Sequence, residues 1–281
     1  MILPQANLQE NDQPSTITGK LMELYIPQTF EEWLPLVVPL AALVLGLAYF
    51  VAPRSMLSAI GLTASPDHPE AYGEGRSTFA GFPMGLAIAA LLFGQPVLLA
   101  LLGAAFAAAA LGKIVQIAFD DGYGHSVFIR LWIAVGLAAL AFYQASLPAL
   151  AIRAGQGVPV DSGELLAFGV ALITLGFGLI CLLVPKTALK WIRLTERGDR
   201  PGSAGELRSG LAGFYLATGI FVLIDGGLFV LVALASAWFA TAFGRLISIL
   251  SDRASNLYNW SALLFELVLG GIPAAVVLDL I

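Results

Sequence analysis

The stretch Gly73–Phe82, "GEGRSTFAGF", returns 132 residues later as Gly205–Phe214, "GELRSGLAGF". Carried outward without gaps, the same offset sets Pro53 and Arg54 against Pro185 and Lys186, and Thr63 against Thr195. Gly94 meets Gly226, and "GKIVQIAFDD" from Gly112 meets "GRLISILSDR" from Gly244. Apolar helices match one another by chance through Leu and Ala, but not through Pro, Gly, Glu, Arg and Asp at one unbroken offset. The pattern reads as an internal duplication.

The medium in which the copies fold follows from composition. The 281 residues are 58% hydrophobic and 12% charged, with a mean hydropathy of +0.86, whereas a soluble domain carries about 25% charged residues. A helix crosses the hydrocarbon core with about 20 mostly apolar residues. That window predicts eight spans, at 33–52, 77–94, 96–118, 127–149, 164–184, 209–225, 227–250 and 258–280. A soluble helical bundle of this length would lack the polar surface to cover itself. The expected fold is therefore all-α: a polytopic membrane protein of about eight transmembrane helices, arranged as two parallel four-helix repeats. An even number of helices per unit makes both copies enter the membrane in the same sense, related by a pseudo-two-fold axis along its normal. The organisation reads as a polar acidic arm over 1–32, a first repeat over 33–150, a linker over 151–163 and a second repeat over 164–281.

Cations orient the chain. Arg54, Arg76, Lys113, Arg130, Lys186, Lys190, Arg193, Arg197, Arg200, Arg208, Arg245 and Arg253 fall on one side, leaving Lys20 and Arg153 on the other. The positive-inside rule makes the first side cytoplasmic. The expected location is a bacterial inner membrane, with both termini on the periplasmic side. The arm carries one cation, Lys20, against Glu10, Asp12, Glu23, Glu31 and Glu32, which is unlike a cleavable signal. The single cysteine, Cys181, falls inside the fifth span and reads as a small hydrophobe.

Within the repeated phrase, Ser77 and Ser209 are expected to cap the helices that follow. Glu74 and Glu206 stand just ahead, at the positive end of the helix dipole, and Arg76 and Arg208 at headgroup depth. Gly81 and Gly213, then Gly103, Gly112 and Gly244 in the next helices, are small enough to let helix backbones approach closely. Lys113 and Arg245 lie about two turns from the inner helix ends, and Asp120 and Asp252 follow on the same face. A network of Glu74, Arg76, Lys113 and Asp120, copied as Glu206, Arg208, Arg245 and Asp252, is expected to tie the helix ends within each unit. One residue breaks the pattern: Glu266 lies inside the last span, where the first copy has Ala134. An acid at that depth calls for a partner; Arg245 is the first candidate and Arg208 the second.

Two histidines, His68 and His125, provide no pair of axial haem ligands and no metal-binding cluster, and neither a phosphate loop nor a nucleophile elbow is present. No catalytic residue, metal or cofactor is therefore expected. Each half resembles a family of uncharacterised bacterial four-helix membrane proteins, through the arginine before a glycine-containing second helix and the "GKIVQIAFDDG" end of the third. The second copy departs from that motif at Asp252-Arg253-Ala254. The resemblance implies no activity.

The expected function is that of a non-catalytic accessory or scaffold subunit, with the lipid bilayer and other membrane subunits as partners and no nucleic acid. The alternative is a transporter or channel with a path between the repeats near Glu266. A lipid-modifying enzyme using Glu74, Glu206 or Asp120 is a third reading.

Overall fold

The computed structural model describes residues 29–120, 124–145, 159, 161–200 and 202–281. The acidic arm up to residue 28 and most of the linker lie outside the described residues. The first half runs α1 (Phe30–Val51), α2 (Pro53–Ala59), β1 (Leu62–Ala64), a 3-10 stretch (Pro69–Gly75), α3 (Thr78–Phe93), α4 (Pro96–Phe119) and α5 (His125–Gln144). The second runs α6 (Ser162–Leu183), α7 (Pro185–Trp191), β2 (Leu194–Glu196), a 3-10 turn (Ser203–Gly205), α8 (Glu206–Gly210), α9 (Ala212–Ile224), α10 (Leu228–Ser251) and α11 (Leu257–Val277).

Local chemistry sets these boundaries. Pro53, Pro96 and Pro185 occupy first helical positions, where a missing N–H costs nothing. α6 starts two residues before the sequence window because Asp161 caps it, accepting from the backbone N–H groups of Gly163 and Glu164. Asn256 caps α11 through Asn259 N–H at 2.9 Å. Gly94 (φ +59°) and Gly226 (φ +57°) stop α3 and turn the chain after α9 in the left-handed region.

Among the described residues, eight helical segments are long and apolar enough to cross a membrane, the build of a multi-pass membrane protein. They form two classes. The segments containing α3, α4, α9 and α10 are 61–72% buried in their most apolar windows, against 22–33% for α1, α5, α6 and α11. Four helices are thus central and four peripheral. The central space is filled by aromatic rings: Phe82 stacks on Tyr215 with centroids 4.0 Å apart. Trp238 meets Phe82 edge-on and donates its indole N–H to Thr174 Oγ1 at 3.0 Å. Along the peripheral helices, side chains such as Trp132, Ile133, Leu165, Leu166, Leu264 and Leu267 point outward, the surface a bilayer covers.

Packing order differs from chain order. α3 packs against α1 of its own half and α10 of the other; α9 packs against α6 and α4. α5 covers α4, while α11 covers α10 and touches α6. Small residues make the crossed contacts possible. A Cβ on Gly81 would lie 2.7 Å from Thr241 Cβ, and one on Gly213 would lie 2.9 Å from Ala109 Cα. Gly112 abuts the Arg208 carbonyl and Gly244 the Arg76 carbonyl. Gly103 faces Ala141 of α5, inside its own half. The halves also join through β1 and β2, an antiparallel pair with Leu62 opposite Glu196, Thr63 opposite Thr195 and Ala64 opposite Leu194.

Candidate functional site

Two buried ionic clusters lie at the helix ends tied together by the β1–β2 ribbon. In the first, α10 supplies Arg245, the 3-10 stretch before α3 supplies Glu74, and α11 supplies Glu266 and Asn259. The Arg245 guanidinium donates through Nη1 and Nη2 to the two Glu74 oxygens, at 2.9 and 3.2 Å. Its Nε donates to Glu266 Oε1 at 2.8 Å and its Nη1 to Asn259 Oδ1 at 3.0 Å. Arg245, Glu74, Glu266 and Asn259 are each at most 7% exposed. Such burial is tolerated because the planar guanidinium fork matches carboxylate geometry and nearly every polar atom is satisfied.

In the second cluster, α4 supplies Lys113 and Gln116, α5 supplies Arg130, and α8 opens with Glu206. Lys113 Nζ donates to Glu206 Oε2 at 2.5 Å and to Gln116 Oε1 at 2.9 Å. Glu206 Oε1 also accepts from Gln116 Nε2 at 3.1 Å and Arg130 Nη2 at 2.8 Å. Lys113, Gln116 and Glu206 are buried, while the Arg130 side chain is about one-third exposed.

Two bidentate pairs flank the clusters. Arg76 Nε and Nη2 bind Asp252 at 2.9 and 3.5 Å, and its Nη1 reaches the Phe50 carbonyl at 2.6 Å. Arg208 Nε and Nη2 bind Asp120 at 2.7 and 3.2 Å, and its Nη1 reaches the Leu182 carbonyl. Asp120 and Asp252 are the C-cap residues of α4 and α10.

The charged residues of the repeated phrase thus all meet partners, but the pairing within one unit expected from the sequence is not what forms. Glu74 pairs with Arg245 rather than Lys113, and Arg76 with Asp252 rather than Asp120; Glu206 and Arg208 take Lys113 and Asp120. The cause is the crossed packing of α3 on α10 and α9 on α4. Arg245 stands beside Glu266, with Nη2 2.7 Å from Oε1, whereas Arg208, the second candidate, is committed to Asp120. The serines do not cap. Ser77 Oγ turns back to the Gly73 carbonyl and Glu74 Oε2, both at 3.4 Å, and Ser209 lies within α8, donating to the Glu206 carbonyl.

Three cluster members escaped the sequence reading. Gln116 and Asn259 are neutral amides with no distinguishing pattern. Arg130 carried a signal: at the offset of 132 it faces Ala262, an unmatched charge of the same kind as Glu266 against Ala134. Among the described residues, no three His, Cys, Asp or Glu side chains are grouped to hold a metal ion.

Fold and site together define a multi-pass helical membrane protein with paired ionic clusters at one end of the bundle. The family model described as "Domain of unknown function (DUF4345)" matches residues 164–277, from the first turn of α6 to the end of α11. No curated protein and no solved structure matches the chain.

Proposed function

We propose that the chain is a tandem duplicate of one four-helix unit, interlocked by reciprocal charge clamps, and that it serves as a non-catalytic integral subunit of a larger membrane assembly. Several observations support the duplication. α4 and α10 begin and end 132 residues apart, as do α2 and α7. Thr63 pairs with its own counterpart, Thr195, as a two-fold axis through the ribbon requires. The carbonyls taken by Arg76 and Arg208, those of Phe50 and Leu182, are counterparts as well. On this reading the clamp side is cytoplasmic in a bacterial inner membrane, and both termini are periplasmic.

The observation that carries the subunit role is how the clustered charges are used. Glu74, Arg245, Lys113 and Glu206 are buried and direct their polar atoms at one another, as a rigid tie between helices does. Gentle affinity purification from the native membrane, with mass spectrometry and sizing, tests the role. Stoichiometric recovery of one larger complex is the expected result; a homogeneous particle without partners contradicts it. The second reading, a transport path near Glu266, is favoured by a cavity of about 160 Å3 that reaches Glu266 and Arg245. Substrate flux in liposomes that Glu266→Gln abolishes would select it.

A further inference from the structure

Each cluster opens into a cavity. One, of about 160 Å3, is lined by residues including Phe177, Cys181, Trp238, Arg245, Ala262 and Glu266. The other, of about 250 Å3, is lined by residues including Leu45, Tyr49, Phe106, Lys113, Arg130 and Ala134. At the offset of 132 these six are counterparts, one for one. The cavities part company over one helical turn, where α5 carries Arg130 and Ala134 and α11 carries Ala262 and Glu266.

That exchange reverses the balance of charge. Beside the smaller cavity one cation, Arg245, faces two carboxylates, Glu74 and Glu266. Glu266 is 4% exposed, and its Oε2 is buried without a hydrogen-bond partner among the described residues. Beside the larger cavity one carboxylate, Glu206, faces two cations, Lys113 and Arg130, and it is Arg130 Nε that is buried without a partner among the described residues. A buried carboxylate oxygen without a donor is costly, and a surplus negative charge in an apolar site more so.

We propose that the Glu266 cavity binds a small apolar molecule bearing a protonated amine, its ammonium on Glu266 Oε2 and its apolar body among Phe177, Trp238 and Phe265. The ammonium supplies the missing donor and the missing positive charge together, as a charge-assisted hydrogen bond. The aromatic walls favour a cation over a neutral group. Size agrees: an engineered apolar cavity of about 150 Å3 in another protein takes up benzene, so about 160 Å3 suits one ring or a short chain. Trp191 and Phe265 line the cavity and are 52% and 43% exposed, which brings its mouth to the molecular surface beside α7 and α11, open to a ligand dissolved in the bilayer. The inference rests on neither functional reading, since a subunit and a transport path would each leave it standing.

The test is isothermal titration of the full chain in nanodiscs of zwitterionic lipid with benzylamine, and with benzyl alcohol as the uncharged match. Benzylamine is expected to bind the wild type and to bind Glu266→Gln at least tenfold more weakly. A folded second variant, Ala262→Arg, places in this cavity the cation that its counterpart already accommodates, and it should lose benzylamine to the same degree. Absence of benzylamine binding by the wild type would overturn the proposal. So would equal affinity for benzyl alcohol, or unchanged benzylamine affinity in Ala262→Arg.

Discussion

Among the described residues Arg245 is the sole cation in contact with two buried carboxylates, so its removal leaves more than a lost bond. Arg245→Ala strands Glu74 and Glu266 in an apolar interior, and breaking a buried pair in this way costs about 3–5 kcal/mol. Arg76→Ala acts on a pair whose side chains are 19% and 24% exposed and should cost much less, about 1 kcal/mol. Unfolding of both variants in mild detergent checks the order; an equal loss would mean that the Arg245 cluster is not the tighter tie. At this scale the sequence was legible wherever residues at the offset of 132 differ in charge. Glu266 stood out against Ala134, and Arg130 against Ala262 would have stood out by the same comparison. Gln116 and Asn259 could not be read, because a neutral amide becomes part of a cluster only when its neighbours arrive from other helices. The Ser77 cap failed because Ser77 already has helical dihedrals (φ −90°, ψ −77°), whereas a capping serine is extended so that its oxygen can reach the first free N–H groups.

Among elements, the eight spans were legible because hydrocarbon thickness sets helix length, and the structure moves their ends by only a few residues. Their partners were not. A small residue marks a face for close approach without naming the helix that comes to it. Gly81 and Gly213 fit either neighbour in principle, and it is α10 and α4, from opposite halves, that fill those notches. Gly81→Val and Gly213→Val overpack these crossings and should each cost about 1–3 kcal/mol. Gly136→Ala, where an added Cβ meets nothing within 4 Å among the described residues, should be neutral or slightly stabilising. The same detergent unfolding measures all three, and tolerance of valine at Gly81 would refute the close approach of α3 to α10.

For the whole molecule, the proposed orientation rests on the distribution of cations, because loop charge governs insertion. In a Cys181→Ala background, Asp67→Cys and Asp199→Cys should react with an impermeant maleimide only from the cytoplasmic side, and Gln95→Cys only from the other. Labelling of Asp67→Cys from the outside would invert the topology. What chain order could not disclose is that the two halves exchange partners, so that the charges of each phrase are answered by the other half. A double-mutant cycle tests that exchange most directly. Arg208→Ala combined with Asp120→Ala should show a coupling of about 1–3 kcal/mol, and Arg208→Ala combined with Asp252→Ala none beyond about 0.5 kcal/mol. Coupling of Arg208 to Asp252 instead would place each pair within its own half and contradict the interlocked arrangement.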